Sequence, residues 1–213
     1  MKIGFIGHGS MAQALASKWH QHDLFFGGRT PARAKAVAER FGAGAGTAAE
    51  AARFGDVVVL ATRHEDVFTA IEAAGGAAAF AGKIVIDINN PVSIETFLST
   101  RPDARSLTQA IADALPGAQV AKAFNMAQAK VWEREEMLWD GRRLTVPYTA
   151  DDAHTADVVG GLIEEVGAEA LLIGGTPFAY QLEAGAAMVI KQLFSGADPL
   201  TVLTLIRPSQ KPI

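Results

Sequence analysis

The chain alternates short apolar strands with helices, and its first strand runs directly into a glycine-rich turn. Residues 2–6 are predicted to form a buried strand, and a helix is predicted over residues 12–20. Strands with so few polar residues are typical of parallel sheets that helices cover on both faces. Because parallel strands need right-handed crossover connections, the sequence predicts an α/β fold with a doubly wound, mostly parallel sheet.

The same alternation continues along most of the 213 residues. Further strands are predicted at 23–26, 56–61, 83–88, 119–124, 142–149 and 168–173. Further helices are predicted at 31–41, 48–54, 66–73, 107–115 and 151–166. Pro31 fits the first turn of its helix, and Thr30 fits the capping position before it.

Two regions interrupt the alternation. Residues 126–141 form a charged excursion with two tryptophans, which we expect either to pack on a partner or to cover a cleft. Residues 177–206 are predicted to form one or two terminal helices, with an apolar stripe at helical spacing. The stripe and its flanking aromatic residues predict a homodimer, to which Trp132 and Trp139 of the excursion are expected to add. The residues of the stripe are Phe178, Leu182, Ala186, Val189, Leu193 and Phe194.

Composition excludes several classes of function. The 19 Lys and Arg against 23 Asp and Glu give a net charge of −4, so no cationic excess is present for nucleic acid. The absence of cysteine excludes disulfides and thiolate nucleophiles, and without clustered histidines we expect no metal site. No apolar run reaches the roughly 18 residues of a membrane span, and we expect a cytoplasmic protein.

The glycine turn has the spacing of a dinucleotide-binding motif. Gly7, Gly9 and Ala12 form a G-x-G-x-x-A pattern between a strand and a helix, which is the context that the motif requires. Gly7 permits the tight turn, Gly9 lets a pyrophosphate approach the backbone, and Ala12 lets the helix lie on the strand. The free N–H groups at the helix start then favour phosphate.

The end of the second strand predicts NADPH rather than NADH. An NAD site usually places Asp or Glu there for the ribose hydroxyls, but here Arg29 and Thr30 follow the strand and no acid occurs before Glu39. Arg29 can pair bidentately with a 2′-phosphate, and Thr30 can add a hydroxyl. Arg33, one helical turn further on, can reach the same group.

Several longer motifs resemble a known group of proteins. IGFIGHGSMAQALA followed by GGRT resembles the N-terminal half of the pyrroline-5-carboxylate reductase superfamily. VIDINNP, VAKAFNM, VPYTADD and LEAGAAM, which lie within residues 85–188, are similar to the NADPH:coenzyme F420 oxidoreductase family. The resemblance covers nearly the whole chain, but residues 130–140 match no motif of that family.

The resemblance implies a Rossmann domain over residues 1–176 and a C-terminal helical segment over 177–213 that completes the substrate side. It also implies NADPH at the glycine turn, with hydride passing to a flavin or deazaflavin. The implied cofactor residues are Gly7, His8, Gly9, Ser10 and Met11 at the pyrophosphate, Arg29 and Thr30 at the 2′-phosphate, Ala61 and Thr62 at the ribose, Asn90 and Pro91 at the nicotinamide ribose, and Lys122, Ala123 and Asn125 at the nicotinamide.

These observations predict an oxidoreductase that moves a hydride between NADPH and a flavin-type or F420-like small-molecule acceptor. The acceptor pocket is expected to be walled by small or apolar side chains of Pro91, Ala123 and Met126. A flavin-type acceptor can take its balancing proton from water, so no catalytic acid is assigned.

Two alternatives remain open. An imine or ketone reductase of the pyrroline-5-carboxylate reductase type would need a general acid, for which His64, Lys122 and Tyr180 are the candidates. A non-catalytic NADPH sensor would bind the cofactor and turn over no acceptor.

Overall fold

Six parallel strands form the central sheet of the protein, whose computed structural model describes residues 1–101 and 105–207. The strands are β1 (Lys2–Ile6), β2 (Asp23–Gly27), β3 (Gly44–Gly46), β4 (Val57–Leu60), β5 (Ile84–Asp87) and β6 (Gln119–Lys122). Their order across the sheet is β3-β2-β1-β4-β5-β6, so the direction of winding reverses between β1 and β4. This is the doubly wound Rossmann arrangement, and the predicted fold class is confirmed.

Helices cover both faces of this sheet. They are α1 (Ser10–Lys18), α2 (Pro31–Ala38), α3 (Ala48–Phe54), α4 (Val67–Ala73), α5 (Leu107–Ala114), α6 (Ala129–Trp132), α7 (Ala153–Glu165) and α8 (Ala179–Phe194). Alternate residues of β4 enter two separate cores, with Val57 and Val59 facing α1, α2 and α7, and Val58 and Leu60 facing α3, α4 and α5. Burial on both faces explains why the strands are continuously apolar.

The last two predicted strands form a sheet of their own. Strands β9 (Thr145–Tyr148) and β10 (Glu169–Leu172) pair in parallel with each other and not with the six-stranded sheet. Two hydrogen bonds attach this pair to β6: Lys122 N donates to Thr149 Oγ1 at 3.1 Å, and Thr149 N donates to Lys122 O at 3.0 Å. Within residues 177–207, the C-terminal region contains one α-helix, α8, and the chain beyond it returns to the start of β9 through a bridge between Leu144 and Ile206.

The charged excursion packs against the protein's own core. It contains α6 and a hairpin of β7 (Leu138–Trp139) and β8 (Arg142–Arg143). Trp132 is 1% exposed and its ring meets Phe124 edge-on, with ring centroids 5.4 Å apart. The expectation that Trp132 contacts a partner is therefore wrong, because its indole is already buried within the chain. Trp139 is half-buried, and its Nε1 donates to Leu200 O at 3.0 Å.

A buried cluster of charges connects four elements behind the carboxyl ends of the strands. Lys122 Nζ lies 2.9 Å from Asp87 Oδ2 and 3.3 Å from Glu183 Oε1, and it also donates to Asn89 O. The side chains of the lysine and of both acids are at most 2% exposed. These contacts hold α8 against the ends of β5 and β6.

The cluster also reaches the start of α5. Leu107 N donates to Glu183 Oε2 at 3.0 Å, and Thr108 Oγ1 donates to Asp87 Oδ2 at 2.8 Å. One ammonium thus faces two carboxylates, and the N–H groups of the helix start offset part of the excess negative charge. Buried charges are tolerated when each has such partners, and removal of one partner is costly.

The substitution Lys122→Met tests this cluster. It leaves two buried carboxylates without their cation, so the free energy of unfolding should fall by about 3–5 kcal/mol. Equilibrium denaturation in urea measures the change. Lys130→Met, which alters an exposed lysine of α6, serves as the matched control and should leave stability within about 0.5 kcal/mol of the native value.

Adding Glu183→Gln to Lys122→Met should recover part of the lost stability, because it removes one of the two unpaired charges. If the losses from the two substitutions simply added together, the charges would not be coupled and the account of the cluster would be wrong.

Candidate functional site

A groove runs along the carboxyl ends of the central strands, where winding reverses. It consists of three adjoining cavities of about 500, 1060 and 390 Å³, which we call the arginine cavity, the central cleft and the inner cavity. Gly9 and Thr62 line both the arginine cavity and the central cleft, whereas Met11 and Asn90 line both the central cleft and the inner cavity. Ligands of open α/β sheets bind at this position.

The glycine turn crosses the groove between β1 and α1. Gly7 has φ of +113°, and a Cβ there would lie 2.2 Å from Ala61 O, so this position requires glycine. Gly9 is the opposite case, since a Cβ added there would meet no atom within 4 Å. Helix α1 starts directly after Gly9 and has no acidic residue in its first turn. The N–H groups of the helix start are therefore available to an anion beside an open backbone.

Guanidinium groups dominate the arginine cavity. Arg29, Thr30 and Arg33 line one side, where β2 ends and α2 begins. The side chain of Thr30 makes no capping hydrogen bond to α2, which leaves its hydroxyl free for another partner. Arg63 lines the other side after β4, and Asp66 lies between the two sides. The cavity thus has the cationic and hydroxyl donors that a phosphate group needs.

Ala61 and Thr62 lie in the middle of the groove, at the end of β4. Both line the central cleft. The Oγ1 atom of Thr62 is buried and has no hydrogen-bond partner among the residues that the structure describes. A buried hydroxyl without a partner is uncommon, and a bound ligand would satisfy it.

Asn90 and Asn125 hold each other at the far end of the groove. Asn90 Nδ2 donates to Asn125 O at 2.7 Å, and Asn125 Nδ2 donates to Asn90 Oδ1 at 2.8 Å. Asn125 Nδ2 also donates to Leu182 O at 3.0 Å, which ties the pair to α8. The Oδ1 atom of Asn125 is buried and has no hydrogen-bond partner within residues 1–101 and 105–207. This oxygen is therefore a buried acceptor whose hydrogen-bonding capacity is unused.

Two of the residues expected at the nicotinamide do not line the groove. The side chain of Lys122 points into the buried charge cluster, and Ala123 is fully buried in the apolar core. The expectation that Ala123 walls the acceptor pocket is therefore wrong, because Ala123, like Ala121, faces the core on the α1 side of the sheet. Pro91 lines the central cleft and Met126 lines the inner cavity, as expected for pocket walls.

The structure adds groove residues that sequence reasoning missed. Arg63 and Asp66 line the arginine cavity, while Ile190 and Phe194 of α8 line the central cleft. Arg63 comes three residues after the end of β4, much as Arg29 comes two residues after the end of β2, and that position could have identified it. No local signal marks the two residues of α8, because they come from the last helix of the chain.

Among the candidate proton donors, only His64 lines the groove. Its side chain is 18% exposed, and its Nδ1 lies 3.5 Å from Glu65 Oε2. Lys122 is ion-paired in the core, and Tyr180 lines none of the three cavities.

Beside the arginine cavity, the capping of α3 keeps an acid ionised. Backbone and side-chain hydrogen bonds from Thr47 lower the pKa of the Glu50 carboxyl. The Thr47 side chain accepts in turn from Glu50 N, which completes a capping box. The Glu50 carboxylate is therefore held by hydrogen bonds at the start of its own helix.

The described part of the chain, residues 1–101 and 105–207, has no group of three or more His, Asp or Glu arranged to hold a metal ion. No helix in these two ranges is both long and apolar enough to cross a bilayer.

Comparisons with solved structures show the fold. A protein from Arthrobacter sp. FB24, described as a candidate F420-dependent NADP-reductase, is 23% identical with a TM-score of 0.83, covering 93% of this chain and 96% of that one. A hypothetical protein from Sinorhizobium meliloti is 22% identical with a TM-score of 0.74, covering 98% and 96%. The Aspergillus terreus reductive aminase in complex with NADPH is 18% identical with a TM-score of 0.66, covering 92% and 62%.

No curated protein sequence matches this chain. A family model does match, over residues 2–91, and its description is NADP oxidoreductase, coenzyme F420-dependent. The matched segment contains the glycine turn, Arg29, Thr62 and the Asn90-Pro91 corner, which all line the groove. Residues 2–91 are therefore similar to the coenzyme F420-dependent NADP oxidoreductase family, which the sequence motifs of the chain also resemble.

Proposed function

We propose that this oxidoreductase transfers a hydride between NADPH and a flavin-type or deazaflavin-type acceptor such as F420. The observation that carries the proposal is the groove itself, which has a cationic end and an apolar end joined by the glycine turn. A dinucleotide and a planar acceptor need these two environments side by side. When bound, NADPH would supply the hydride, and the chain's task is to place two rings in contact.

The cationic end supports NADPH as the cofactor. Gly9 leaves open space beside the start of α1, where a pyrophosphate would receive backbone N–H groups. Arg29, Thr30 and Arg33 surround the place where a 2′-phosphate would lie. The Aspergillus terreus relative, whose fold is similar, was solved with NADPH.

The other end supports a flat acceptor. Pro91, Ile190 and Phe194 line the central cleft with apolar surface, and Met126 lines the adjoining inner cavity. A planar ring gains dispersion energy and apolar burial from such walls. Asn90 lines both cavities and Asn125 lines the inner cavity, and their amide groups would orient the nicotinamide.

An imine reductase is the second candidate function. The observation that favours it is His64, whose imidazole lines the central cleft and could donate a proton to a reduced imine. A similar fold occurs in the reductive aminase and imine reductase from Aspergillus terreus. A non-catalytic NADPH sensor is the third candidate, and only the absence of turnover would favour it.

We assign the two segments of the chain different tasks. Residues 1–176 would bind the cofactor, and residues 177–213 would complete the acceptor side through Ile190 and Phe194 of α8.

We also propose a homodimer, on a smaller surface than the sequence suggested. Leu182 and Val189 are buried within their own chain, so Met188 and the aromatic residues at the two ends of α8 remain exposed for a partner.

The first prediction concerns the choice of cofactor. The native protein should bind NADPH more tightly than NADH by about 2 kcal/mol, or about 30-fold, because of charge-assisted hydrogen bonds to the 2′-phosphate. Arg29→Ala should remove most of this difference and leave NADH affinity nearly unchanged. Calorimetric titration of both proteins with both cofactors measures it. Equal affinities of the native protein for the two cofactors would falsify the assignment.

The second prediction concerns the acceptor. NADPH oxidation should occur with F420, FMN or FAD and not with a simple ketone. The loss of NADPH absorbance measures it. If a cyclic imine is consumed and no flavin-type acceptor is, the imine reductase becomes the correct function. If NADPH binds and none of these acceptors is reduced, the sensor is correct.

A substitution in the apolar wall separates the acceptor from the cofactor. Ile190→Trp should fill the central cleft and abolish acceptor reduction, while NADPH affinity stays within about twofold of the native value. Leu172→Trp, at a position that is 46% exposed and outside the groove, is the matched control and should retain turnover. Equal turnover in both variants would show that the acceptor binds elsewhere.

The third prediction concerns assembly. Light scattering at micromolar concentration should give about twice the 22.4 kDa mass of one chain. Met188→Asp should shift the mass toward that of a monomer, because it buries a charge in the proposed interface. A native mass near that of one chain would rule out the dimer.

A further inference from the structure

Asp66 connects two arginines on opposite sides of the arginine cavity. Its Oδ2 atom accepts from Arg29 Nη2 at 3.1 Å and from Arg63 Nε at 3.3 Å. Arg29 follows β2 and Arg63 follows β4, so Asp66 joins the two sides of the cavity. Arg29 and Asp66 are 37 residues apart in the sequence. Both arginine side chains are 74% exposed, whereas the Asp66 side chain is 24% exposed.

The position of Asp66 is not explained by helix capping. It occupies the capping position before α4, but its side chain makes no capping hydrogen bond. The carboxylate instead turns to the two guanidinium groups. The backbone of Asp66 is helical, with φ of −94° and ψ of −5°, and it ends a 3-10 turn over His64–Asp66, so the residue lacks the extended conformation of a capping residue.

A single oxygen bound by two guanidinium groups has the geometry of a shared anion site. Any anionic oxygen in the place of Asp66 Oδ2 would receive hydrogen bonds from both arginines. Charges around the cavity also favour an added anion, since Arg29, Arg33 and Arg63 face one carboxylate and leave a formal charge of +2. A phosphomonoester, with a charge of about −1.5 to −2 at neutral pH, neutralises this excess.

We propose that Arg63 is a second guanidinium contact for the 2′-phosphate of NADPH and that Asp66 is the internal anion which this phosphate replaces. The proposal rests on the proposed function, because it assumes that NADPH occupies the groove. Before the cofactor binds, Asp66 keeps Arg29 and Arg63 together. When the phosphate enters, its oxygens take over the hydrogen bonds to both arginines, and the carboxylate yields to the stronger acceptor.

Adenosine nucleotides test this proposal without any turnover. The probes are adenosine 2′,5′-bisphosphate, which carries the 2′-phosphate, and adenosine 5′-monophosphate, which lacks it. Arg63→Ala should weaken binding of the bisphosphate about tenfold and leave binding of the monophosphate unchanged. Arg63→Lys should lie between the native protein and Arg63→Ala, because an ammonium keeps the charge and loses the planar fork.

Asp66→Asn should change affinity in the opposite direction. The amide keeps the shape and one acceptor oxygen but removes the charge that competes with the phosphate. Binding of the bisphosphate should therefore tighten about threefold to tenfold, with no change for the monophosphate. Arg53→Ala, on the exposed surface of α3 and outside the groove, is the matched control and should change neither affinity.

The outcomes separate this proposal from the proposed function. If the native protein does not distinguish the two nucleotides, NADPH is not the cofactor and the proposed function itself fails. If the native protein distinguishes them and Arg29→Ala removes the difference while Arg63→Ala does not, only the role of Arg63 is overturned. If Arg63→Ala weakened the binding of both nucleotides equally, Arg63 would contact the adenine and not the 2′-phosphate. If Asp66→Asn weakened the binding of the bisphosphate, the ion pair would be merely structural.

Discussion

The ion pairs of Lys122, which has no access to water, hold together the elements behind the groove. Asp87 ends β5 and Glu183 lies in α8, and both carboxylates contact the ammonium. None of these charges can be released to solvent without separating the helix from the strands, so α8 stays against the edge of the sheet. This attachment places Ile190 in the central cleft and gives Asn125 its bond to Leu182 O.

The two ends of the groove differ because different strands supply them. At the cationic end, β1 and β2 contribute the glycine turn and Arg29 on one side of the reversal in winding, and β4 contributes Arg63 from the other side. At the apolar end, Asn90 and Asn125 each come three residues after the ends of β5 and β6, and α8 adds apolar surface. Hydrogen-bonding donors therefore gather where a phosphate would lie, and dispersion dominates where a flat ring would lie. A single edge of one sheet thus has a cationic environment and an apolar environment side by side.

Sequence reasoning succeeded where the local pattern is strong and failed where it is weak or ambiguous. Helix α3 has the predicted bounds, Ala48–Phe54, because a capping box precedes its run of good helix formers. Strand β3 was missed, since Gly44-Ala45-Gly46 has neither β-branched nor large apolar residues. Lys122 was expected at the nicotinamide because the resemblance of the VAKAFNM motif to a known family implied it. Motif position gives a place along the chain, however, and not the direction in which a side chain points.

The sequence by itself determined the strand, glycine turn and helix that begin the fold, because Gly7 and Gly9 act through backbone conformation and space close to themselves. It also placed Arg29 at a strand end, where parallel strands bring their carboxyl ends to one edge. Only the tertiary structure decided which charged residues pair. Arg29 and Asp66 are 37 residues apart in the sequence, and Lys122 and Glu183 are 61 residues apart. The hydrophobic periodicity of the sequence predicts which face of a helix or strand is buried. The packing of elements that are distant in the sequence decides which charged side chains come into contact.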